Sequence, residues 1–223
     1  LPSYTGAYTP DATGAYDVVV RQLLKGGLAA EYFDNAWLQG DPTVVRVDPA
    51  VSFDWGAGAV TPYGRDFVSA RWSGKLLAPA SEEFTLYVFF DDGARVYVDH
   101  ELVIDAWENG TYHADGRRVT VDLTKGTYHD LVVEYKELEG AAKIRLAWAS
   151  YSTTYETIPA VNLFHATHIA GSPFSTSVVP GRADYPFTTA DGDALTAAAR
   201  AEGNLDFSRG LLGCRAVAER RKF

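Results

Sequence analysis

The strongest chemical signal in the chain is a pair of neighbouring aspartates followed by glycine, Asp91-Asp92-Gly93. Carboxylates are the strongest protein donors to a hard cation such as calcium, which collects roughly six to eight oxygens. Adjacent side chains on an extended strand point to opposite faces. Both can address one ion only if a turn or a non-proline cis peptide brings them round, and Gly93 supplies backbone freedom for such a bend. The competing reading is an Asp-Gly hairpin turn with both carboxylates in water. If an ion is held, its open positions can take two vicinal hydroxyls of a sugar while the aspartate oxygens accept the hydroxyl protons.

Other residue types offer less. Of the tryptophans, Trp72 and Trp148 lie in strand-like alternation and belong to a core. Trp107, Tyr112 and His113 occupy an irregular polar stretch and can flank a ligand. Asn109-Gly110-Thr111 is an acceptor sequon in a secreted chain, or simply a polar Asn-Gly turn. Paired carboxylates also serve glycoside hydrolysis, but residues holding one cation are not free for that work. The sequence has no nucleophile elbow, phosphate-binding glycine loop or zinc-type His-Glu pattern, and Gly56-Ala57-Gly58-Ala59-Val60-Thr61 lacks the third glycine of a dinucleotide fingerprint. His165 and His168 face opposite sides of a strand and read as surface histidines. The expectation is a non-enzyme.

The elements that must position these residues are strands. Phe84, Leu86, Val88 and Phe90 alternate with Thr85, Tyr87 and Phe89; Leu131, Val133 and Tyr135 alternate with Asp130, Val132 and Glu134; Ile144, Leu146 and Trp148 alternate with Lys143, Arg145 and Ala147. Arg95–Val98 and Leu102–Ile104 read as a hairpin through Asp99-His100-Glu101, and Lys125-Gly126 separates Val119–Leu123 from the strand after Tyr128. Such spacing predicts an all-β sandwich of antiparallel strands. Only the Ala-rich Asp193–Glu202 offers a helix signal, and Gly210–Phe223 has no clear period and reads as a frayed tail. With 223 residues, 47% hydrophobic and 22% charged, the chain can bury a large core. A net charge of −9 argues against nucleic acid as a partner. No apolar run is long enough to cross a bilayer, so membrane insertion is not expected. The sole cysteine, Cys214, permits no intrachain disulfide. The absence of Met and of a leader-like start reads as a fragment of a longer protein.

From Gly27 to about Trp148 the order and spacing of several motifs resemble the protective-antigen (PA-fourteen) domain, a β-sandwich module. They include Gly27-Leu28-Ala29-Ala30-Glu31-Tyr32-Phe33-Asp34-Asn35, Val51-Ser52-Phe53-Asp54-Trp55-Gly56 and Val68-Ser69-Ala70-Arg71-Trp72-Ser73-Gly74. The run from Asp91 through Asp99, Leu102–Trp107 and Ile144–Trp148 continue the match. The resemblance implies a secreted or cell-surface location and frequent glycan binding. Lectin-like members are similar in having a paired-Asp calcium site with a cis bond, at the place of Asp91 and Asp92. The loop Glu137–Ala142 matches the family loop that completes the site, where an Asn, Asp or Gln is usual. Here Glu139 could ligate and Gly140 and Ala141 could offer carbonyls, or the segment is a solvated hairpin tip.

The flanks resemble a filamin-type immunoglobulin-like repeat. Tyr8–Val20 is similar to a late strand pair of that repeat, and His168-Ile169-Ala170-Gly171-Ser172-Pro173-Phe174 to its closing strand. The expected organisation is a filamin-like piece over 1–26, the protective-antigen-type sandwich over 27–160, a closing strand over 161–182, and a further repeat or tail over 183–223. The functional expectation is a calcium-dependent, lectin- or adhesin-like carbohydrate-binding module beside neighbouring repeats. The alternatives are a structural spacer or protein-interaction module, and an accessory domain of a carbohydrate-active enzyme.

Overall fold

The computed structural model describes residues 14–108, 116–169, 172–178 and 214–220. Asn109, Tyr112, His113 and the expected Asp193–Glu202 helix lie outside the described residues. The chain divides into two compact units, one made of Leu1–Leu24 with Ala166–Phe223 and the other of the continuous segment Lys25–His165.

The continuous unit is a sandwich of two antiparallel sheets. The first sheet runs β3 (Val44–Asp48), β2 (Leu28–Phe33), β5 (Val68–Leu77), β10 (Tyr128–Glu137), β7 (Gly93–Val98), β8 (Glu101–Ala106). The start of β13 (Leu163–His168) joins β5 beside β2, through Leu163↔Leu76 and Phe164↔Lys75. In the second sheet β11 (Ala142–Ser150) lies next to β6 (Glu82–Asp91), which pairs with β9 (Arg117–Leu123). β4 (Ser52–Gly56) and β12 (Glu156–Thr157) share the other edge of β11. The predicted hairpin is present: β7 and β8 pair across Asp99 and His100, both at positive φ.

Alternation becomes burial. Phe84, Leu86, Val88 and Phe90 face Ile144, Leu146 and Trp148 within one sheet, and all are almost fully buried. Trp72, Leu131, Val133 and Tyr135 cover them from the other sheet. Trp72 and Trp148 are core residues. A column of rings, Trp72, Phe53, Trp55 and Tyr135, stacks along the interior with successive centroids 5.7, 4.9 and 5.8 Å apart.

Three of the crossings between the two sheets lie at one end of the sandwich. β4 leads to β5 through residues 57–67, β6 leads to β7 through Asp92 alone, and β10 leads to β11 through residues 138–141. The pairings Val68↔Glu137, Gly93↔Lys136 and Gly56↔Ala142 place these connections together.

In the other unit, β1 (Gly14–Lys25) pairs with β14 (Phe174–Val178) and with β15 (Cys214–Arg220). The expected frayed tail is corrected over residues 214–220, the part of Gly210–Phe223 that the structure describes. Seven residues there form an antiparallel ladder, because strand pairing satisfies backbone groups whatever the side-chain period.

Asp48 anchors the first sheet from below. It is 4% exposed and accepts hydrogen bonds from the Tyr32 hydroxyl, the Trp72 indole and Arg46 Nε at 2.5, 2.8 and 2.7 Å. Asp48→Ala orphans two buried donors and a guanidinium and should cost about 3 kcal/mol of unfolding free energy in urea. Asp48→Asn, which keeps an acceptor, should cost less.

Candidate functional site

The site is built where the three crossings meet. On β10 the core-facing phase of Leu131, Val133 and Tyr135 continues to Glu137, so the last residue of the strand turns a carboxylate inward. Glu137 is fully buried. Its Oε2 lies 2.9 Å from the Tyr135 hydroxyl, while its Oε1 is buried with no hydrogen-bond partner. That hydroxyl also stands 2.5 Å from the Asp91 carbonyl, and it has one proton to give.

The peptide between Asp91 and Asp92 is cis. Asp91 continues the outward phase of β6, whereas Asp92 is buried beside the core. The Asp92 Oδ2 accepts the backbone N–H of Leu138 at 2.7 Å and of Glu139 at 3.3 Å. Asp66, on the 57–67 crossing, accepts the Gly140 N–H at 3.3 Å, and Phe67 N–H donates to the Leu138 carbonyl at 3.0 Å. The three connections are thus sewn together by backbone amides reaching carboxylates.

Electrostatics show one crowded acidic end. Burial first, and the Asp92 charge second, raise Asp91 above the usual carboxylate range, while Lys143 draws it back. Glu137 is pushed up to about 7, mainly by burial and then by the charges of Asp92, Asp91 and Asp66, against the opposing Tyr135 hydrogen bond. Burial and the Glu137 charge also raise Tyr135.

The residues singled out in the sequence are distributed as follows. Asp92 meets the 138–141 loop directly through its carboxylate, while Asp91 pairs across the ladder with Lys143, just beyond that loop. Glu139 and Gly140 are exposed, and both offer N–H groups to the carboxylates. Ala141 is exposed in the same loop. Trp107 follows β8 next to Gly93, but its ring is engaged by two cations, with Arg95 4.2 Å and Lys136 Nζ 5.0 Å from its centroid. Glu137 and Asp66 were missed by the sequence reading. Glu137 was detectable from its phase with the core residues of β10. Asp66 carried no comparable signal, since it sits in an irregular crossing. Trp37, Tyr63 and Phe67, 64%, 81% and 50% exposed, stand on loops at this end, and of these Tyr63 and Phe67 were also missed.

A divalent cation fits this chemistry in part. Neither Asp91 carboxylate oxygen accepts a hydrogen bond among the described residues, and Glu137 Oε1 lacks a partner. Among the described residues no group of three or more His, Cys, Asp and Glu side chains is placed to hold a metal. The two aspartates would therefore hold an ion together with carbonyls and water, as calcium permits.

Comparisons with known proteins agree on the fold. The PA14 domain model matches residues 24–162. Anti-sigma-I factor RsgI3 of Acetivibrio thermocellus is 37% identical over 150 residues, which are 65% of this chain and 22% of that protein. An anti-sigma factor domain-containing protein from Clostridium clariflavum is 33% identical with a TM-score of 0.59, over 63% of this chain and 47% of that one. The PA14 sugar-binding domain from an RTX adhesin superposes with a TM-score of 0.52 at 18% identity, over 64% of this chain and 99% of that one, a likeness of fold alone. The chain thus spans about a fifth of the curated relative and about half of the first solved one.

Glu137→Gln removes a buried, repelled charge and keeps its shape. Without divalent ions at neutral pH it should raise unfolding free energy by on the order of 1 kcal/mol, read in urea; a loss of stability would contradict this electrostatic account.

Proposed function

The chain belongs to the PA14 domain family, and from that premise we propose that its sandwich is a calcium-dependent carbohydrate-binding module of an extracellular multidomain protein, not an enzyme. The observation that carries the reading is the Asp91–Asp92 pair, tied by Asp92 Oδ2 to the amides of the 138–141 loop. A solvated hairpin turn has no reason to make that long-range contact.

Asp91 and Asp92 would hold the cation, with carbonyls of Glu139, Gly140 or Ala141 and water as further oxygens. The ion supplies positive charge and open positions for two vicinal sugar hydroxyls. The protein's part is orientation. The Leu138 and Glu139 amides fix the Asp92 carboxylate, and the Tyr135 hydroxyl holds the Asp91 backbone. Glu137 adds negative charge beneath the pair. Exposed Phe67, whose N–H bonds the loop at Leu138, offers a ring at this end of the sandwich. Such a site is shallow, and tandem copies would gain by avidity.

The flanking unit, with β1 paired to β14, is read as pieces of a filamin-like repeat that displays the sandwich. A second reading is favoured by the 37% identity to an anti-sigma factor: the module would be one part of a longer regulator.

Isothermal titration of the chain with calcium should show saturable binding with Kd on the order of 10⁻⁵–10⁻³ M. At calcium about 100-fold above Kd the fold should gain about 2.7 kcal/mol. Asp91→Asn and Asp92→Asn should each abolish both effects. No heat at millimolar calcium refutes the reading.

A further inference from the structure

The outer face of the second sheet carries a feature that the aspartate site does not use. A groove of about 450 Å³ lies over β11 between β4 and β6, lined by Ser52, Asp54, Phe89, Lys143 and Arg145. That volume suits a small ligand or one to two sugar rings. The strand phase explains its make-up: Lys143↔Asp91, Arg145↔Phe89, Ser52↔Arg145 and Asp54↔Lys143 are partners across the ladders, so their side chains share the solvent face.

Arg145 is the organising residue. Its guanidinium lies 4.6 Å over the Phe89 ring and donates to the Tyr155 hydroxyl at 2.7 Å. Tyr155 is braced in turn against Tyr87, edge to face at 5.2 Å. Stacking and one hydrogen bond hold the cation in place while most of its five donors stay available. Among the described residues no carboxylate lies within ion-pair distance of it. In a chain of net charge −9, a stacked guanidinium with no acidic partner among the described residues, at the side of a groove, calls for an anion from outside.

The other lining groups narrow the anion. Asp54 and Ser52 suit hydroxyls, and Asp54 would repel a small, highly charged phosphate. Asp91 lies on the same face of β6 as Phe89, two residues along, about 7 Å away at the rise of a strand. That distance is comparable to the step from one sugar ring to the next. We propose that this groove is a second subsite that takes an acidic sugar residue, its carboxylate or sulfate on Arg145 with Lys143 beside it, next to the ring held at Asp91 and Asp92. The inference rests on the carbohydrate reading above and names the ligand class, an acidic polysaccharide.

The test is an array of uronate-bearing, sulfated and neutral oligosaccharides of matched length, probed with the whole chain and with Arg145→Gln, in calcium and in chelator. Arg145 is partly buried on the outer face, away from the aspartate site, so the variant should still melt cooperatively and its calcium titration should be unchanged. Acidic glycans should bind roughly tenfold tighter than their neutral counterparts, the size expected of a charge-assisted hydrogen bond. Arg145→Gln should erase that preference, and whichever acidic class is retained identifies the group. A preference for neutral glycans, or an acidic preference that survives Arg145→Gln, overturns the subsite while calcium-dependent binding of neutral glycans leaves the proposed function standing. Acidic binding that depends on Arg145 but persists in chelator supports the subsite and refutes the calcium reading. Binding to none overturns both.

Discussion

Three times the chain passes between the two sheets of one sandwich at the same end, and each passage brings a carboxylate there. Asp66, the Asp91–Asp92 pair and Glu137 repel one another in a setting where one of them is wholly buried. Such a gathering is tolerable only if positive charge or hydrogen-bond donors answer it. Backbone amides of Leu138, Glu139 and Gly140 answer in part, and Lys143 lowers the cost at Asp91. The unmet remainder is centred on Glu137 Oε1 and the Asp91 carboxylate. The functional reading grows from that electrostatic deficit.

Core and site are continuous. The ring column that begins at Trp72 ends at Tyr135, whose hydroxyl touches both the Asp91 carbonyl and Glu137. Packing therefore sets where the acidic end sits. The register that buries Leu131, Val133 and Tyr135 also aims Glu137 inward. A one-residue slip of β10 would turn every one of them to the other face. On the reverse side of β6 and β11, the same alternation sends Phe89, Lys143 and Arg145 outward.

Much of this was legible before the fold was known. The strands over residues 84–90, 131–135 and 144–148 followed from alternation because one face of each is buried, and the Asp91–Asp92 pair stood out by residue type. Glu137 could have been found by extending the β10 phase two residues, but a charged residue at the end of an apolar series looks like the strand's exit into solvent. Asp66, Trp37, Tyr63 and Phe67 lie in irregular loops, where sequence has no period to say which residues meet. Trp107 looked like a free ring, yet Arg95 and Lys136 cover it, since cross-strand neighbours are invisible until register is known. Residues 214–220 lacked any pattern because strand pairing there uses backbone groups that every sequence carries.

The most direct measurement of the central claim is a crystal structure of the chain grown with calcium, using anomalous scattering to locate the ion. The account predicts an anomalous peak at about 2.3–2.6 Å from oxygens of both Asp91 and Asp92. Carboxylates of Asp91 and Asp92 bound only to water and amides, with no peak between them at saturating calcium, would contradict it.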